Sequence, residues 1–444
     1  MTPAKESEYY EEEIETMPRE KLEKLQLERL KWQVERCYKG SEFYREKFDK
    51  IGLKPDDIKS LDDVGKIPPV TKEEFRQEQI NHPPFGRYTV APQQDWRELH
   101  PSTGTTGIPV NTIWTQGDVE NITQWTARTL WSFGVRPGDI IQNGFAYGLW
   151  VAGISVHYAA ERIGCFVLPI GATMTERQLD YFVNPGSTVF IATPSYALYL
   201  AERMRERGVS PEQIPMRMGT FGGEGGVEVP ATRKKIEQGL GIDAYDIYGL
   251  AEIGPTCACE CKEKAGIHWV EDHVLIETVN KDTGERCAPG EIGILVLTHL
   301  TKEGTPSLRY WTNDYAQLDF EKCACGRTHV RAVGGILGRA DDMIIYKGEN
   351  FYPVQVEKVV RSFKELGDEY RIRLTTHERI GTDVVTVVAE YIDEKTNTEE
   401  FKSKLKRALR EELVVTPEVE LVKFGTIAST EFKAKRIEDK RGKE

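Results

Sequence analysis

The chain has 444 residues, 39% of them hydrophobic and 29% charged, the balance of a globular protein with more than one domain. Its formal net charge of −12, with no compensating basic stripe, argues against a general nucleic-acid binder. No run approaches the roughly eighteen uninterrupted apolar residues of a membrane span. The acidic start MTPAKESEYYEEEIETMPRE also lacks the apolar stretch of a secretory signal, so a cytoplasmic location with no membrane partner is expected.

Residues 19–38, REKLEKLQLERLKWQVERCY, set Leu22, Leu25, Leu30 and Val34 at helical spacing between charges, which predicts an amphipathic surface helix. Next comes HPSTGTTGIPV, His100 to Val110. Here Ser102, Thr103, Gly104, Thr105, Thr106 and Gly107 combine hydroxyl donors, free backbone N–H groups and glycines that permit close approach. Such a loop suits a ligand rich in acceptor oxygens, phosphate above all; the plainer reading is a solvent-exposed turn.

From residue 118 helix-like segments alternate with short β-rich runs. DVENITQWTARTLWSFGV precedes DIIQNGF, GISVHYAAERIG precedes CFVLPI, and RQLDYFVNPG precedes TVFIAT. SYALYLAERMRERG then leads to RMGTFGGE, and ATRKKIEQGLG to DAYDIYG. This alternation predicts an α/β fold whose mostly parallel sheet is covered on both faces by helices. GEIGILVLTHL and TPSLRYW read as antiparallel strands. A boundary is expected in GILGRADDMI, residues 335–344, separating residues 1–338 from a small α/β domain at 339–444. In that domain 382–391 reads as a strand, 398–413 as a helix, 418–425 as a strand, and the basic tail FKAKRIEDKRGKE as a solvated terminus.

Glycine-rich and acidic signals recur where the strands end. FGGEGG (221–226) and YDIYGLAEIG (245–254) both follow apolar runs. Ligands of a parallel sheet gather at the carboxyl ends of its strands, so these loops and the hydroxyl-rich one are expected to share a site. Glu252 is read there as a Mg²⁺ ligand, because Mg²⁺ takes one or two carboxylates together with phosphate oxygens; the alternative is a capping carboxylate. Tyr248 offers a flat face to a base.

Five of the eight cysteines are grouped, Cys257, Cys259 and Cys261 in one stretch, Cys323 and Cys325 in another. In a reducing compartment this favours metal over disulfides. Cys261, His268, Cys323 and Cys325 supply three thiolates and one imidazole, the closed tetrahedral set of structural Zn²⁺. Spacing does not choose between Cys261 and its neighbours Cys259 and Cys257. An iron–sulfur cluster and buried free thiols are the other readings.

STGTTGIP, FGGEGG, YGLAEIG, LRYWTNDYA, GRADDMIIYKGENFYPVQVE and KAKR follow the order of the adenylate-forming superfamily. ETMPREKLEKLQLERLKWQVERCYKGSEFYREKF, TPSYALYLAE, GIHWVEDH and CACGRTHVRAVGGILGRADDM resemble its phenylacetate–CoA ligase branch. The resemblance implies a large N-terminal domain and a mobile C-terminal one. It implies an enzyme that joins a carboxylate to AMP from ATP, releasing pyrophosphate, and then passes the acyl group to coenzyme A. Mg²⁺, structural Zn²⁺, an aromatic acid and a homodimer are further implications.

Residue by residue, the resemblance gives the loop Ser102–Gly107 the β- and γ-phosphates, although Ile108 stands where a lysine is common. Glu252 becomes the Mg²⁺ carboxylate and Tyr248 the adenine neighbour. Gly222, Gly223 and Glu224 run along the base, and Asp246 and Gly249 complete the nucleotide set. Asp314 accepts the ribose hydroxyls, Arg339 reaches the nucleotide, and Asp341 is the hinge. Lys433 matches the catalytic lysine, with Phe432 before it where glycine is usual and Lys435 as the fallback. The zinc pattern of the branch is also matched, by a cysteine ahead of His268 and by CACG. Within GFAYGLWVAGI, Phe145, Tyr147, Gly148, Leu149 and Trp150 are expected to line the acid pocket, the alternative being aromatic packing under the sheet. Bulky Trp150 and the altered PIGATMTERQ leave benzoate-like, indoleacetate-like and hydroxylated acids open beside phenylacetate. Two other readings are an adenylating ligase with a different acyl acceptor and a degenerate nucleotide-binding scaffold. Ile108 and Phe432 favour the scaffold; the intact set of Glu252, Asp314, Arg339 and Lys433 opposes it.

Overall fold

Capping side chains set where many of the helices begin. The computed structural model describes residues 4, 6–102, 108–346, 349–376, 383–428 and 436–441. After a single turn, α1 (Glu12–Glu15), α2 (Arg19–Gly40) buries Leu22, Leu30 and Val34 and stops at Ser41, whose hydroxyl caps α3 (Glu42–Lys50). Helix α4 (Lys72–Asn81) opens with a reciprocal capping box between Thr71 and Glu74. The hairpin β1 (Trp96–Pro101) and β2 (Asn111–Thr115) then brackets the hydroxyl-rich loop. Thr115 caps α5 (Gln116–Phe133), which ends at Gly134 in the left-handed region, φ 118°.

The expected alternation follows. Strand β3 (Ile140–Asn143) leads through α6 (Val151–Ile163) to β4 (Phe166–Leu168), and α7 (Thr175–Val183) to β5 (Val189–Ala192). Helix α8 (Pro194–Glu206) leads to β6 (Met218–Gly222), and α9 (Pro230–Leu240) to β7 (Asp243–Leu250). These five strands pair in parallel, in the order β4-β3-β5-β6-β7. Period-two alternation sends Val189 and Ile191 to the face covered by α5 and α6, and Phe190 and Ala192 to the face covered by α7, α8 and α9.

Beyond β7 the same sheet turns antiparallel through β8 (Gly254–Glu260), β9 (Ile267–Trp269), β10 (Val274–Val279), β11 (Ile292–His299) and β12 (Tyr310–Asp319). Two short strands, β13 (Arg331–Ala332) and β14 (Gly338–Arg339), complete twelve strands among the described residues. The second strand expected in TPSLRYW starts only at Tyr310, because Arg309 takes φ 47° and breaks extension.

The chain then forms a hairpin, β15 (Ile344–Tyr346) with β16 (Glu349–Phe351), and enters a separate layer. Here α10 (Pro353–Ser362) and α11 (Glu399–Leu413) cover four strands: β17 (Leu366–Thr376), β18 (Asp383–Tyr391), β19 (Glu418–Lys423) and β20 (Ile437–Asp439). Val356, Val360, Leu405 and Leu409 pack on Ile372 and Val387 in a core of their own. The basic tail is not wholly a solvated end: Ile437–Asp439 pairs in parallel with Ile372–Leu374, and Arg436 and Arg441 are ion-paired. Among the described residues no helix is long and apolar enough to cross a membrane.

Candidate active site

Parallel strands β3, β5, β6 and β7 end side by side, so the segments that follow them crowd together above the sheet. Two glycines are required by this crowding. A Cβ on Gly222 would lie 2.1 Å from the Ile247 carbonyl oxygen, and one on Gly249 would lie 2.6 Å from the Thr256 nitrogen. Glu224 Oε1 accepts from the Ser195 N–H at 2.9 Å, tying the turn after β6, with Gly223, to the first turn of α8.

Strand β12 faces this rim from the antiparallel half. Its register on β11 shifts between Ile294 and Val296, and Asn313 takes φ 65°, a local bulge just ahead of Asp314. Asp314 lies opposite Arg339 across the β12–β14 pair. Both carboxylate oxygens have a donor: Arg339 Nη1 at 2.9 Å on Oδ1, and the Tyr248 hydroxyl at 2.5 Å on Oδ2. Burial pushes the Asp314 carboxyl up to about 6 against the downward pull of Arg339. Burial, with Asp314 as neighbour, also raises the Tyr248 phenol well above its ordinary value. Arg339 is shared, since Nε and Nη2 grip both oxygens of Asp341 at 2.9 and 2.8 Å. Asp246 stands apart from this trio. It lies with Glu228, Arg233 and Glu260 around a cleft of about 300 Å³, and burial and Glu260 push its carboxyl up to about 7.

Glu252 is 5% exposed in the turn after β7. Its Oε1 lies 3.1 Å from Lys72 Nζ, an ion pair outside hydrogen-bond geometry, so among the described residues this buried carboxylate oxygen has no hydrogen bond. Burial and the adjoining Glu252 charge raise the Tyr310 phenol. Lys72, which the sequence analysis does not single out, is the cation beside Glu252. A cation in the first turn of a helix opposes the helix dipole, which marks Lys72 as unusual without indicating its partner. The same helix, α4, supports the hydroxyl-rich loop: Arg76 Nε donates to the Ile108 carbonyl at 3.1 Å, and Gln79 Nε2 to the Pro109 carbonyl at 2.9 Å. Ser102 closes the neck of that loop by accepting the Val110 N–H at 3.1 Å. Thr103, Gly104, Thr105, Thr106 and Gly107 lie outside the described residues, as do Phe432, Lys433 and Lys435.

After β3, Phe145 is 2% exposed and packs edge-on to Trp150 with ring centroids 4.9 Å apart, so it serves the core. Gly148 and Leu149 are exposed, and Tyr147 and Trp150 are half-buried. The Tyr147 hydroxyl accepts from Asn143 Nδ2 at 2.9 Å and lies 3.0 Å from His157 Nδ1.

On the antiparallel side, the donor atoms of Cys261, His268, Cys323 and Cys325 all lie within 4.8 Å of one another. A tetrahedral Zn²⁺ with bonds of about 2.3 Å to sulfur and about 2.0 Å to nitrogen has S···S edges of about 3.8 Å and S···N edges of about 3.6 Å. Cys261 Sγ and Cys323 Sγ are 3.9 Å apart, and Cys325 Sγ lies 3.6 Å from His268 Nε2. The donor set therefore fits the ion. Cys257 and Cys259 are buried outside this group, which selects Cys261.

Residues 348–441 match the family model of the AMP-binding enzyme C-terminal domain. The chain is 44% identical over 365 residues to a phenylacetate–coenzyme A ligase of Thermus thermophilus, covering 82% of this chain and 80% of that one. It is 36% identical over 435 residues to the corresponding ligase of Pseudomonas putida, covering 96% of each. Among solved structures it resembles 2-hydroxyisobutyryl-CoA ligase in the postadenylation state with 2-HIB-AMP, with TM-score 0.93, 30% identity, 99% of this chain and 94% of that chain. For the same enzyme with CoA in the thioesterification state the TM-score is 0.76. The mixed sheet, the separate C-terminal layer and these relatives agree: the chain belongs to the phenylacetate–CoA ligase branch of the AMP-forming acid–CoA ligases.

Proposed function

We propose that this ligase takes an aromatic carboxylic acid as its substrate, with Mg-ATP and coenzyme A. The observation that carries the site assignment is the Tyr248–Asp314–Arg339 cluster built on the buried Asp314. Asp314 has lone pairs left on both oxygens to accept a ribose diol, and Arg339 is placed to stay with the nucleotide. Tyr248, with Gly222 and Gly223 nearby on the rim, is the adenine neighbour; Glu224, Asp246 and Gly249 support that rim.

Glu252 would carry Mg²⁺, which would neutralise charge on the phosphates and complete the unbonded carboxylate oxygen. Lys72 supplies, from α4, the cation that Ile108 withholds from the loop Ser102–Gly107. Lys433 is the lysine of the adenylation step, and Asp341, gripped by Arg339, is the pivot of a C-terminal domain starting at residue 339. A half-buried wall of Tyr147 and Trp150 beside Gly148 suits a flat acid. Zn²⁺ held by Cys261, His268, Cys323 and Cys325 would pin the antiparallel half and take no part in the reaction.

The test is release of AMP and pyrophosphate from Mg-ATP across a panel of aryl acids and small branched hydroxy acids, with and without CoA. AMP release that requires both an aryl acid and CoA is the expected result. Turnover confined to aliphatic hydroxy acids overturns the aromatic assignment, and pyrophosphate exchange that CoA never draws forward indicates a different acyl acceptor.

A further inference from the structure

The C-terminal layer touches the large sheet's helices through a narrow polar seam that no step above uses. Helix α9 presents Thr232 and Lys235, neighbours on one face at a spacing of three. Across the seam stand Glu357 of α10 and Asp368 of β17. Thr232 Oγ1 donates to Glu357 Oε1 at 3.0 Å, and Lys235 Nζ to Asp368 Oδ1 at 2.8 Å.

Both acids are anchored within their own layer. The Tyr370 hydroxyl donates to Glu357 Oε2 at 3.2 Å, Arg361 Nε lies 3.5 Å from Glu357, and Arg361 Nη1 donates to Asp368 Oδ1 at 2.6 Å. Arg361 is almost fully buried, with 1% of its side chain exposed, so the two carboxylates are oriented before α9 reaches them. The α9 side chains therefore make a contact that can form and break without rebuilding either partner. Like charges oppose it: Glu202 of α8 is raised by burial and by the repulsion of Asp368, and Glu228, just ahead of α9, by burial and Asp246, with Glu357 adding to the rise. Arg436 packs over the Tyr370 ring at 4.5 Å and pairs with Glu369 at 2.7 Å.

We propose that Thr232 and Lys235 are positioning residues that latch the C-terminal domain in the pose serving adenylate formation, and that this latch opens before the acyl group passes to CoA. The inference rests on the ligase reading above. Its second support is that the chain superposes on 2-hydroxyisobutyryl-CoA ligase with TM-score 0.93 in the postadenylation state and 0.76 in the thioesterification state. A seam of one half-exposed ion pair and one hydrogen bond is weak enough to open in every catalytic cycle.

Two half-reactions separate a latch from a structural contact. Lys235→Glu is expected to slow acid-dependent ATP–pyrophosphate exchange about fivefold without slowing single-turnover transfer from preformed adenylate to CoA. Thr232→Val acts in the same direction with a smaller effect, and Lys235→Arg restores the wild-type ratio. Loss of both half-reactions in proportion, or of neither, overturns the latch. A second readout needs no substrate: energy transfer between dyes on noncanonical residues at the exposed positions 205 and 399. Lys235→Glu should shift the transfer efficiency, and an unchanged value overturns the proposal even if no acid is turned over. Wild-type protein lacking exchange with every acid would instead sink the ligase reading, while the dye pair still decides the latch.

Discussion

Asp272 and Glu252 are both buried carboxylates, 3% and 5% exposed, yet the regions around them are built in opposite ways. Arg128 donates to both oxygens of Asp272, at 2.8 and 3.2 Å, and His273 Nε2 lies 3.2 Å away. Burial pushes this carboxyl up, but Arg128 and His273 outweigh it and hold it far below the ordinary range. Next to it, Arg19 grips Glu271 with two bonds of 2.7 Å and ties the start of α2 to the sheet. Glu252 has the Lys72 ammonium 3.1 Å from Oε1 and the Tyr310 phenol beside it, and Oε1 has no hydrogen bond among the described residues. Charge that is matched on all sides holds a scaffold together. Buried charge with an unfilled valence costs stability and is retained where a ligand completes it.

Removing a partner on the scaffold side should have the largest effect. Arg128→Met leaves Asp272 buried without its main cation and is expected to cost about 3–5 kcal/mol in urea unfolding. Glu252→Gln should do the reverse, slowing adenylate formation about 10²–10³-fold while leaving the unfolding midpoint unchanged or higher. If Glu252→Gln destabilises as much as Arg128→Met, the two regions are alike and the contrast fails.

Lys72 sharpens the same contrast from the cation's side. Lys72→Met removes the charge that balances Glu252 and, on the proposed function, assists the phosphates, so adenylation at saturating Mg-ATP should slow about tenfold. Lys72→Arg should recover part of that rate. A pure stability loss in Lys72→Met, with the exchange rate per folded molecule intact, would return Lys72 to the scaffold.

The helix–strand alternation made the parallel half legible, because each element from α5 to β7 carries its own periodicity and turn residues. Glu252, Tyr248 and Asp314 stand out in the sequence because they sit in contiguous motifs, and the fold brings Tyr248 into contact with Asp314. What escaped depended on distance in the chain. Lys72 meets Glu252 across 180 residues, and nothing local in VTKEEF announces that contact. The strand β17 was also missed; LGDEYRIRLTT alternates imperfectly, and its pairing with β18 shifts register between Leu366 and Tyr370. Spacing alone left three candidates for the cysteine nearest His268, whereas the fold brings one, Cys261, to the other donors. Phe145 looked like a pocket residue because it sits in an aromatic stretch, but the turn of the chain after β3 carries it into the core.

His299 links the two regions and gives the smallest effect. It lies at the foot of the Glu252 turn, with Nδ1 accepting the Ser307 N–H at 2.9 Å and Nε2 donating to the Ile253 carbonyl at 2.5 Å. Both ring nitrogens are thus committed in the neutral form, and a second proton would set an N–H against the Ser307 N–H. Burial first, then nearby Lys302, lowers this histidine to about 4. His273, beside Asp272, is likewise lowered to about 4, with burial outweighing the carboxylate. An unfolded histidine binds its proton near pH 6.5, so between 6.5 and 4 the unfolded chain takes up more protons than the folded one. The share of stability carried by these two histidines is therefore complete above about pH 6.5 and declines as the pH falls toward 4, by at most about 1.4 kcal/mol per pH unit for each, while Asp246 and Asp314, raised to about 7 and about 6, contribute with the opposite sign over the same range. Urea midpoints of wild type and His299→Gln compared across this range isolate the histidine's share. His299→Gln, which keeps a donor and an acceptor but does not titrate, should remove one proton's worth of the slope. A slope unchanged in His299→Gln would show that His299 carries none of the pH dependence.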